Sequence, residues 1–533
     1  MAARAWWRDG VLYQLYPRSY ADSDGDGTGD LRGIIDHLDH LAWLGIDGLW
    51  LNPTFPSPNA DWGFDVADYR DVHPDLGTLA DLEDLISAAG ERGIRVLLDL
   101  VPNHTSDEHP WFVEARGDRA APRRDWYVWR DPGPGGAPPN NWLSIFGGPA
   151  WELDECSGQY YLHLFHRKQP DLNWHTPEVR AAVYDVMRFW LDRGIDGFRI
   201  DVLWLLAKDE TFADSPPVPP REHELDVARL EHPGFEDREE THDIVREMRA
   251  LVDEYDHRVL IGEIYLPYER LVRYYGERLD GVHLPFNFGL VTASRFDAPT
   301  VRRLVEEYES LLPEGAWPNW VLGNHDISRI ATRAGDRGAR LAQMLLLTLR
   351  GTPTCYYGDE LGLADGEIPP DRVVDPQAAT GRNRDPARTP MPWDPSPTAG
   401  FSPDGVEPWL PVAAGHKQRN VQAQAADPRS ELSLFRALTA LRRGRRALQL
   451  GSLRLLGGTA PDDVLAYVRE GEGEGEHVLV ALHFGAEPRT ADLSAASARP
   501  ADLLLSTELD REGEVDLAAL ELRPREGVVI SVR

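Results

Sequence analysis

The chain is 533 residues long, too long for one ordinary domain, and 42% of it is hydrophobic, enough to bury a large core. Its formal charge of −32, from 56 basic and 88 acidic side chains, argues against a nucleic-acid partner, whose recognition rests on clustered cations. No apolar run reaches the length of a membrane span, residues 1–7 lack the apolar stretch of a signal peptide, and the expected location is cytoplasmic.

The cations are nearly all arginine; lysine stands only at 168, 208 and 417. Cys156 and Cys355 are far apart, and two cysteines make neither a metal knot nor a disulfide framework.

Taken in chain order, β-like runs occur at 11–20, 48–55, 94–104, 197–202, 259–265, 281–288, 320–326 and 352–360. Stretches with apolar residues at helical spacing, such as 79–92 and 177–193, lie between them. Strands alternating with helices predict a parallel (β/α)8 TIM barrel. A doubly wound sheet would need a Gly-rich phosphate turn, and none follows the first run. The connection 105–174 is rich in Pro, Gly and Trp and contains its own apolar run at 160–165, which predicts an inserted subdomain after strand 3. Short β segments at 453–456, 464–468, 477–484 and 528–532, with a Gly/Glu alternation at 471–476, predict a C-terminal antiparallel β domain. The expected division is barrel over 1–104 and 175–450, insertion over 105–174, and a β-sandwich over 451–533.

Chemistry gathers where the runs stop. Run four ends in Asp201, run five in Gly262-Glu263, run seven in Asn324-His325-Asp326. An acid after an apolar strand is costly unless it emerges into a cleft, and in a barrel all such ends face one rim. Asp99 and Asp359, also near strand ends, read as structural caps or ion-pair partners. Three converging acids with Arg199, His104 and His325 fit glycoside hydrolysis, in which one carboxyl is ionised and one keeps its proton.

Four motifs then resemble the α-amylase superfamily, within it the α-glucosidase and oligo-1,6-glucosidase branch. They are Asp99-Leu100-Val101-Pro102-Asn103-His104, Gly197-Phe198-Arg199-Ile200-Asp201, Gly262-Glu263 and Asn324-His325-Asp326. A fifth, Gln169-Pro170-Asp171-Leu172-Asn173, is typical of that branch. The resemblance implies a two-step retaining displacement with Asp201 as nucleophile, Glu263 as general acid/base and Asp326 stabilising the transition state. A retaining pair is expected about 5–5.5 Å apart. Arg199, two residues before Asp201 on the same strand face, is expected to keep that carboxylate ionised. His104 and His325 would donate to sugar hydroxyls.

The segment Asp61-Trp62-Gly63-Phe64-Asp65 is similar to the one that shapes the non-reducing end of the pocket in this family. The resemblance implies that Asp61 and Arg384 grip the terminal glucose and make the enzyme exo-acting. Relatives usually carry Tyr where Phe64 stands, so one hydroxyl is lost and the stacking platform is kept. Phe165 would form a second aromatic wall. The loop at 22–30 resembles a calcium loop, with Asp22, Asp24, Asp26, Thr28 (through its carbonyl) and Asp30 as ligands of a structural Ca²⁺. It is not an EF-hand, because Gly33 stands where a bidentate Glu is required. The alternative is a set of Asx turns that stays empty or holds Mg²⁺. No organic cofactor is expected.

The signals for linkage conflict. Val202, directly after the nucleophile, is the residue found in α-1,6-specific relatives. The polar insertion 209–240, with Ser215-Pro216-Pro217-Val218-Pro219-Pro220, resembles the loop of enzymes that take short α-1,4 substrates. The reading adopted is release of glucose from maltose-type substrates with accompanying glucosyl transfer; oligo-1,6-glucosidase, or a transglucosylase or isomerase of sucrose or maltose, is the alternative. The partner is thus a small oligosaccharide, with neither nucleic acid nor membrane. A transporter heavy chain would lack the full acid set and carry a membrane helix. A binding protein would need no paired nucleophile and acid.

Overall fold

The computed structural model describes residues 5–219, 226–457, 460–471, 477–497 and 501–532. The expectation for the Gly/Glu alternation falls outside these residues from 472 onward, as do residues 220–225 of the polar insertion.

Eight strands form the barrel: β1 Leu12–Leu15, β2 Gly48–Leu51, β3 Arg95–Leu100, β4 Gly197–Ile200, β5 Val259–Gly262, β6 Leu284–Pro285, β7 Asn319–Val321 and β8 Thr352–Tyr356. They pair in parallel in the order β7-β8-β1-β2-β3-β4-β5-β6. A parallel bridge from Asn287, just past β6, to Trp320 of β7 closes the ring. The β-like runs of the sequence are all present but too long. Only four residues of the run 11–20 are strand; the rest belongs to the rim loops that carry the site.

Side chains alternate between two cores because strand residues point to opposite faces. Leu12, Trp50, Leu97, Val259, Ile261, Leu284 and Val321 fill the barrel interior. Their neighbours Leu98, Leu100, Phe198, Ile200 and Leu260 pack outward against the helices. The same period of two sends Asp99, Arg199, Asp201 and Glu263 inward at the upper end. Gly197 opens β4 at φ +148°, and a Cβ there would stand 2.0 Å from the Val259 carbonyl, so glycine lets β4 and β5 approach.

The helices follow from ordinary signals. Leu79–Glu91 starts on a capping box of Thr78 and Asp81 and buries Leu82, Leu85 and Ala89. Pro177–Leu191 has Pro at its first position and buries Val179, Val183, Val186, Met187 and Trp190. Asp336–Thr348 is buried on nearly every side, since it lies between the barrel and the C-terminal sheet. No helix among the described residues is long and apolar enough to cross a membrane.

Between β3 and β4 the chain makes an excursion with a small antiparallel sheet, Trp129–Arg130, Gln159–Leu162 and Trp151–Asp154. It returns to the rim through a bridge from Asp171 to His104. After Leu450 come a six-stranded antiparallel sheet and a two-stranded one, Arg489–Ala491 with Leu520–Leu522, around a separate apolar core. The sequence runs found three of those strands to within a residue or two of one end, Ser452–Leu455, His477–His483 and Gly527–Val532, and stopped two residues short in Val464–Glu470. The short, mostly half-exposed strands between residues 489 and 522 gave no periodic signal. Fully buried Arg469 ties this unit to the barrel, donating to the carbonyls of Thr348, Leu448 and Gly451.

Candidate active site

The strand ladder places the acids. The Asp201 N–H donates to Leu100 O at 2.8 Å and the Glu263 N–H to Ile200 O at 3.0 Å, which carries each neighbouring pairing one residue past the strand. Both side chains meet Arg199. Its Nη1 lies 2.7 Å from Asp201 Oδ1 and 2.7 Å from Asp99 Oδ1, and its Nη2 lies 2.8 Å from Glu263 Oε2. Arg199 thus reaches Asp201, as its place on the strand implies, and Glu263 as well: one guanidinium, planar and with two free amino groups, bridges both carboxyls. Trp50 holds it from below, with its ring 5.1 Å from the Arg199 Cζ and its Nε1 3.2 Å from Asp99 Oδ2.

Val202 follows Asp201 in left-handed backbone, φ +39°, which a β-branched residue rarely adopts. That conformation aims its N–H at Glu263 Oε2, 2.8 Å away. Oε2 thus accepts from both Arg199 and Val202, so a proton on this carboxyl sits on Oε1.

Asp326 lies on the loop after β7. Arg384 Nη1 is 3.3 Å and Arg388 Nη2 3.1 Å from its Oδ1, and His325 Nε2 is 3.2 Å from its Oδ2. Arg384 also binds Asp61 at 2.7 Å and Asp375 at 2.7 Å. Six carboxyls (Asp61, Asp99, Asp201, Glu263, Asp326, Asp375) thus share three guanidiniums, and burial penalises every charge left over. Burial lifts Asp99 to about 7 against the pull of Arg199. It lifts Asp201 well above the usual carboxylate range, again opposed by Arg199. Burial also raises Glu263 against the pull of Arg199, and the negative charge of Asp326 adds to that rise. Asp326 goes the other way: against burial, His325, Arg384 and Arg388 hold it well below the carboxylate range. Asp201 and Glu263 share the one guanidinium of Arg199, so the charge of each bears on the other and they titrate as a unit.

The histidines are fixed from behind. Gln14 Nε2 and Asn52 Nδ2 point at His325 Nδ1 from 2.8 and 3.2 Å, which leaves the ring proton on Nε2. Burial drives the His325 pKa well down, so the ring is neutral. Phe64 stacks on it, centroids 5.1 Å apart and planes 4° from parallel. His104 lies 5.0 Å from Phe165 and is also kept neutral by burial, with its pKa lowered to about 4.

These groups line one cavity of about 270 Å³, the size of a small ligand. All ten catalytic and substrate-binding residues expected from the sequence lie around it except Arg199, which is buried beneath its floor. Three charged groups were missed there: Asp375, the second anchor of Arg384; Arg388, the second cation on Asp326; and Arg382, exposed at the mouth. Arg388 stands four residues after the expected Arg384, and nothing in the sequence marks Asp375. The outer wall of Ile145, Phe146, Val202, Trp204, Val227 and Tyr265 comes from three separate loops.

In the loop at 22–30, oxygens of Asp22, Asp24 and Asp30 lie within 4.8 Å of one another. That spacing suits a hard cation, whose oxygen ligands stand at about 2.4 Å and so up to about 5 Å apart. Asp26 stands outside this group of three, and its Oδ1 accepts the Thr28 N–H at 2.7 Å. Asp22 and Asp30 also accept backbone N–H bonds from Gly25, Gly27, Ser23 and Gly33.

Comparison with known proteins agrees with this geometry. The alpha-amylase catalytic-domain family matches residues 14–451. The chain is 41% identical to a probable alpha-glucosidase of Rhizobium meliloti (strain 1021), over 85% of each chain. It is 36% identical to an oligo-1,6-glucosidase of Parageobacillus thermoglucosidasius, over 99% of each. Among solved structures, an alpha-glucosyl transfer enzyme superposes with a TM-score of 0.93 at 38% identity, covering 99% of this chain and 100% of the other. The trehalulose synthase from Pseudomonas mesoacidophila MX-45 superposes with a TM-score of 0.90 at 34% identity, over 99% of each. The chain belongs to the α-amylase family of glycoside hydrolases.

Proposed function

We propose that the protein is an exo-acting, retaining α-glucosidase that releases glucose from the non-reducing end of short α-glucosides. The observation that carries this reading is the ion cluster of Arg384 with Asp61, Asp326 and Asp375, which faces the glucose-sized cavity beside Asp201 and Glu263. A chain end enters such a pocket; a polymer interior does not.

Asp201 Oδ1 is held by Arg199, which leaves Oδ2 as the attacking oxygen. The retaining mechanism assigns the proton to Glu263 and the ionised form to Asp201, whose Oδ1 Arg199 holds. Asp201 forms a bond to the anomeric carbon as the glycosidic bond breaks, and Glu263 Oε1 gives its proton to the leaving oxygen. In the second step Glu263 takes a proton from the attacking water, and the Asp201 ester is released. Asp326, with His104 and His325, binds ring hydroxyls. Asp22, Asp24 and Asp30 would hold a structural Ca²⁺ distant in sequence from this chemistry.

Glucosyl transfer is a second reading with its own support. The mouth is walled by Phe146, Val202, Trp204 and Tyr265, an apolar surface that favours a sugar ring over water as the acceptor. Parallel incubations with maltose, isomaltose, sucrose and trehalose, resolved by chromatography, separate these outcomes. Free glucose from maltose is the expected main product. Isomerised disaccharides without glucose would replace hydrolysis by isomerisation, and turnover of isomaltose alone would reverse the linkage. An Asp201→Asn protein that still hydrolyses p-nitrophenyl α-glucoside would overturn the mechanism.

A further inference from the structure

Lysine occurs three times in this chain, against 53 arginines, and one of the three is fully buried beside the site. Lys208 is 2% exposed, lies seven residues after Asp201 and does not line the cavity. Its Nζ lies 2.7 Å from Asn103 Oδ1, 2.8 Å from Asp171 Oδ2 and 3.3 Å from Leu206 O. Three acceptors around one point suit the three donors of an ammonium; a planar guanidinium would not fit them.

The consequence runs through Asn103, which is fully buried. An ammonium only donates, so the Asn103 amide is locked with Oδ1 toward Lys208. Its Nδ2 is thereby turned to His104 Nδ1 at 3.1 Å and Asp171 Oδ2 at 3.2 Å. The amide N–H donates to Nδ1, so the proton of the neutral ring is on Nε2, which donates to the Phe64 carbonyl at 3.1 Å. Phe64 in turn stacks on His325. On its other side Asp171 accepts the Leu164 N–H at 3.0 Å, one residue before Phe165.

We infer that Lys208 is a positioning residue for the sugar subsite: through Asn103 it fixes the tautomer of His104, and through Asp171 it pins the wall that carries Phe165. This rests on the reading of the cavity as a glucose site. A purely structural ion pair would hold the loop but add nothing to the preference that the Phe64 carbonyl, an acceptor, gives to the Nε2–H form.

The test uses the full-length protein labelled with ¹⁵N-histidine, with His104 assigned by its loss in His104→Gln. Wild type is expected to show a neutral ring protonated on Nε2. In Lys208→Met the Asn103 amide loses the donor that fixes its Oδ1 and keeps its bond to Asp171, and the His104 signal is expected to move toward the Nδ1–H form. Affinity for the glucose-shaped probe 1-deoxynojirimycin, measured by calorimetry, is expected to weaken by about tenfold, as for one neutral hydrogen bond lost. Asn103→Asp covers the case in which Lys208→Met does not fold. A carboxylate cannot donate to Nδ1 and still pairs with Lys208, so the same tautomer change is expected. An Nε2–H signal unchanged in a folded Lys208→Met, or in Asn103→Asp, overturns the inference. If the probe fails to bind wild type, the proposed function fails, and the tautomer signal still decides the relay.

Discussion

Replacement of Glu263 by Gln separates proton transfer from every other role of the site. Oε2 of Glu263 accepts from the Val202 N–H and from Arg199, each at 2.8 Å, and an amide oxygen can take both bonds. The amide nitrogen then stands where Oε1 carried its proton, so shape, packing and charge are retained. Thermal stability is therefore expected to hold. What is lost is general acid catalysis, worth about 10²–10⁴ in rate, or about 2.7–5.5 kcal/mol. The loss should be full for maltose, whose leaving alkoxide needs the proton, and much smaller in the first step for p-nitrophenyl α-glucoside. With the aryl substrate the glucosyl ester should accumulate after a burst, and azide should restore turnover because it needs no base. Steady-state and rapid-quench kinetics on both substrates read this out. Equal losses on the two, with no burst, would refute the assignment of Glu263.

Other perturbations reach other parts of the molecule. Arg384→Met leaves Asp61 and Asp375 buried without their cation, which should cost about 3–5 kcal/mol in a denaturant titration and raise KM for maltose. Burial raises the fully buried Glu360 to about 7, although Tyr13 Oη donates to it at 2.8 Å. A raised acid binds more protons folded than unfolded, so its contribution is full below the unfolded value near 4.5 and is lost as pH climbs to 7. Over that window the wild type should lose about 3 kcal/mol from this group, and Glu360→Gln should flatten the dependence of its melting midpoint on pH. Millimolar Ca²⁺ is expected to raise the melting midpoint and a chelator to lower it, with kcat unchanged; Asp22→Ala should abolish the difference.

The barrel was legible because its strands are apolar, short and evenly interrupted by amphipathic helices. Asp201 and Glu263 were legible for the same reason: each ends an apolar run, where an acid has no structural excuse. What stayed hidden is set by contacts across long sequence distance. Arg199 could be placed on the face of Asp201 from the period of the strand, but its second amino group meets Glu263, 64 residues on, which no strand period reveals. Asp375 sits in a loop with no repeat and is made functional only by Arg384. The turn of Asp26 toward Thr28 is a local hydrogen bond that the alternation of acids in the calcium-like loop does not exclude.

Arg199 touches both members of the catalytic pair. Asp326 bears on Glu263: its negative charge raises the pKa of that carboxyl, and it is itself secured by His325, Arg384 and Arg388. Arg384 is also the residue that holds Asp61 at the closed end of the pocket. The grip on the sugar and the pKa of the acid therefore share a side chain. Loss of Arg384 should let the Asp326 pKa rise, weaken its repulsion of Glu263 and lower the pKa of the acid. The alkaline limb of kcat/KM against pH, where Glu263 loses its proton, should then move to lower pH in a folded Arg384→Met protein. A limb that stays in place while KM rises would mean that Arg384 acts on the sugar alone.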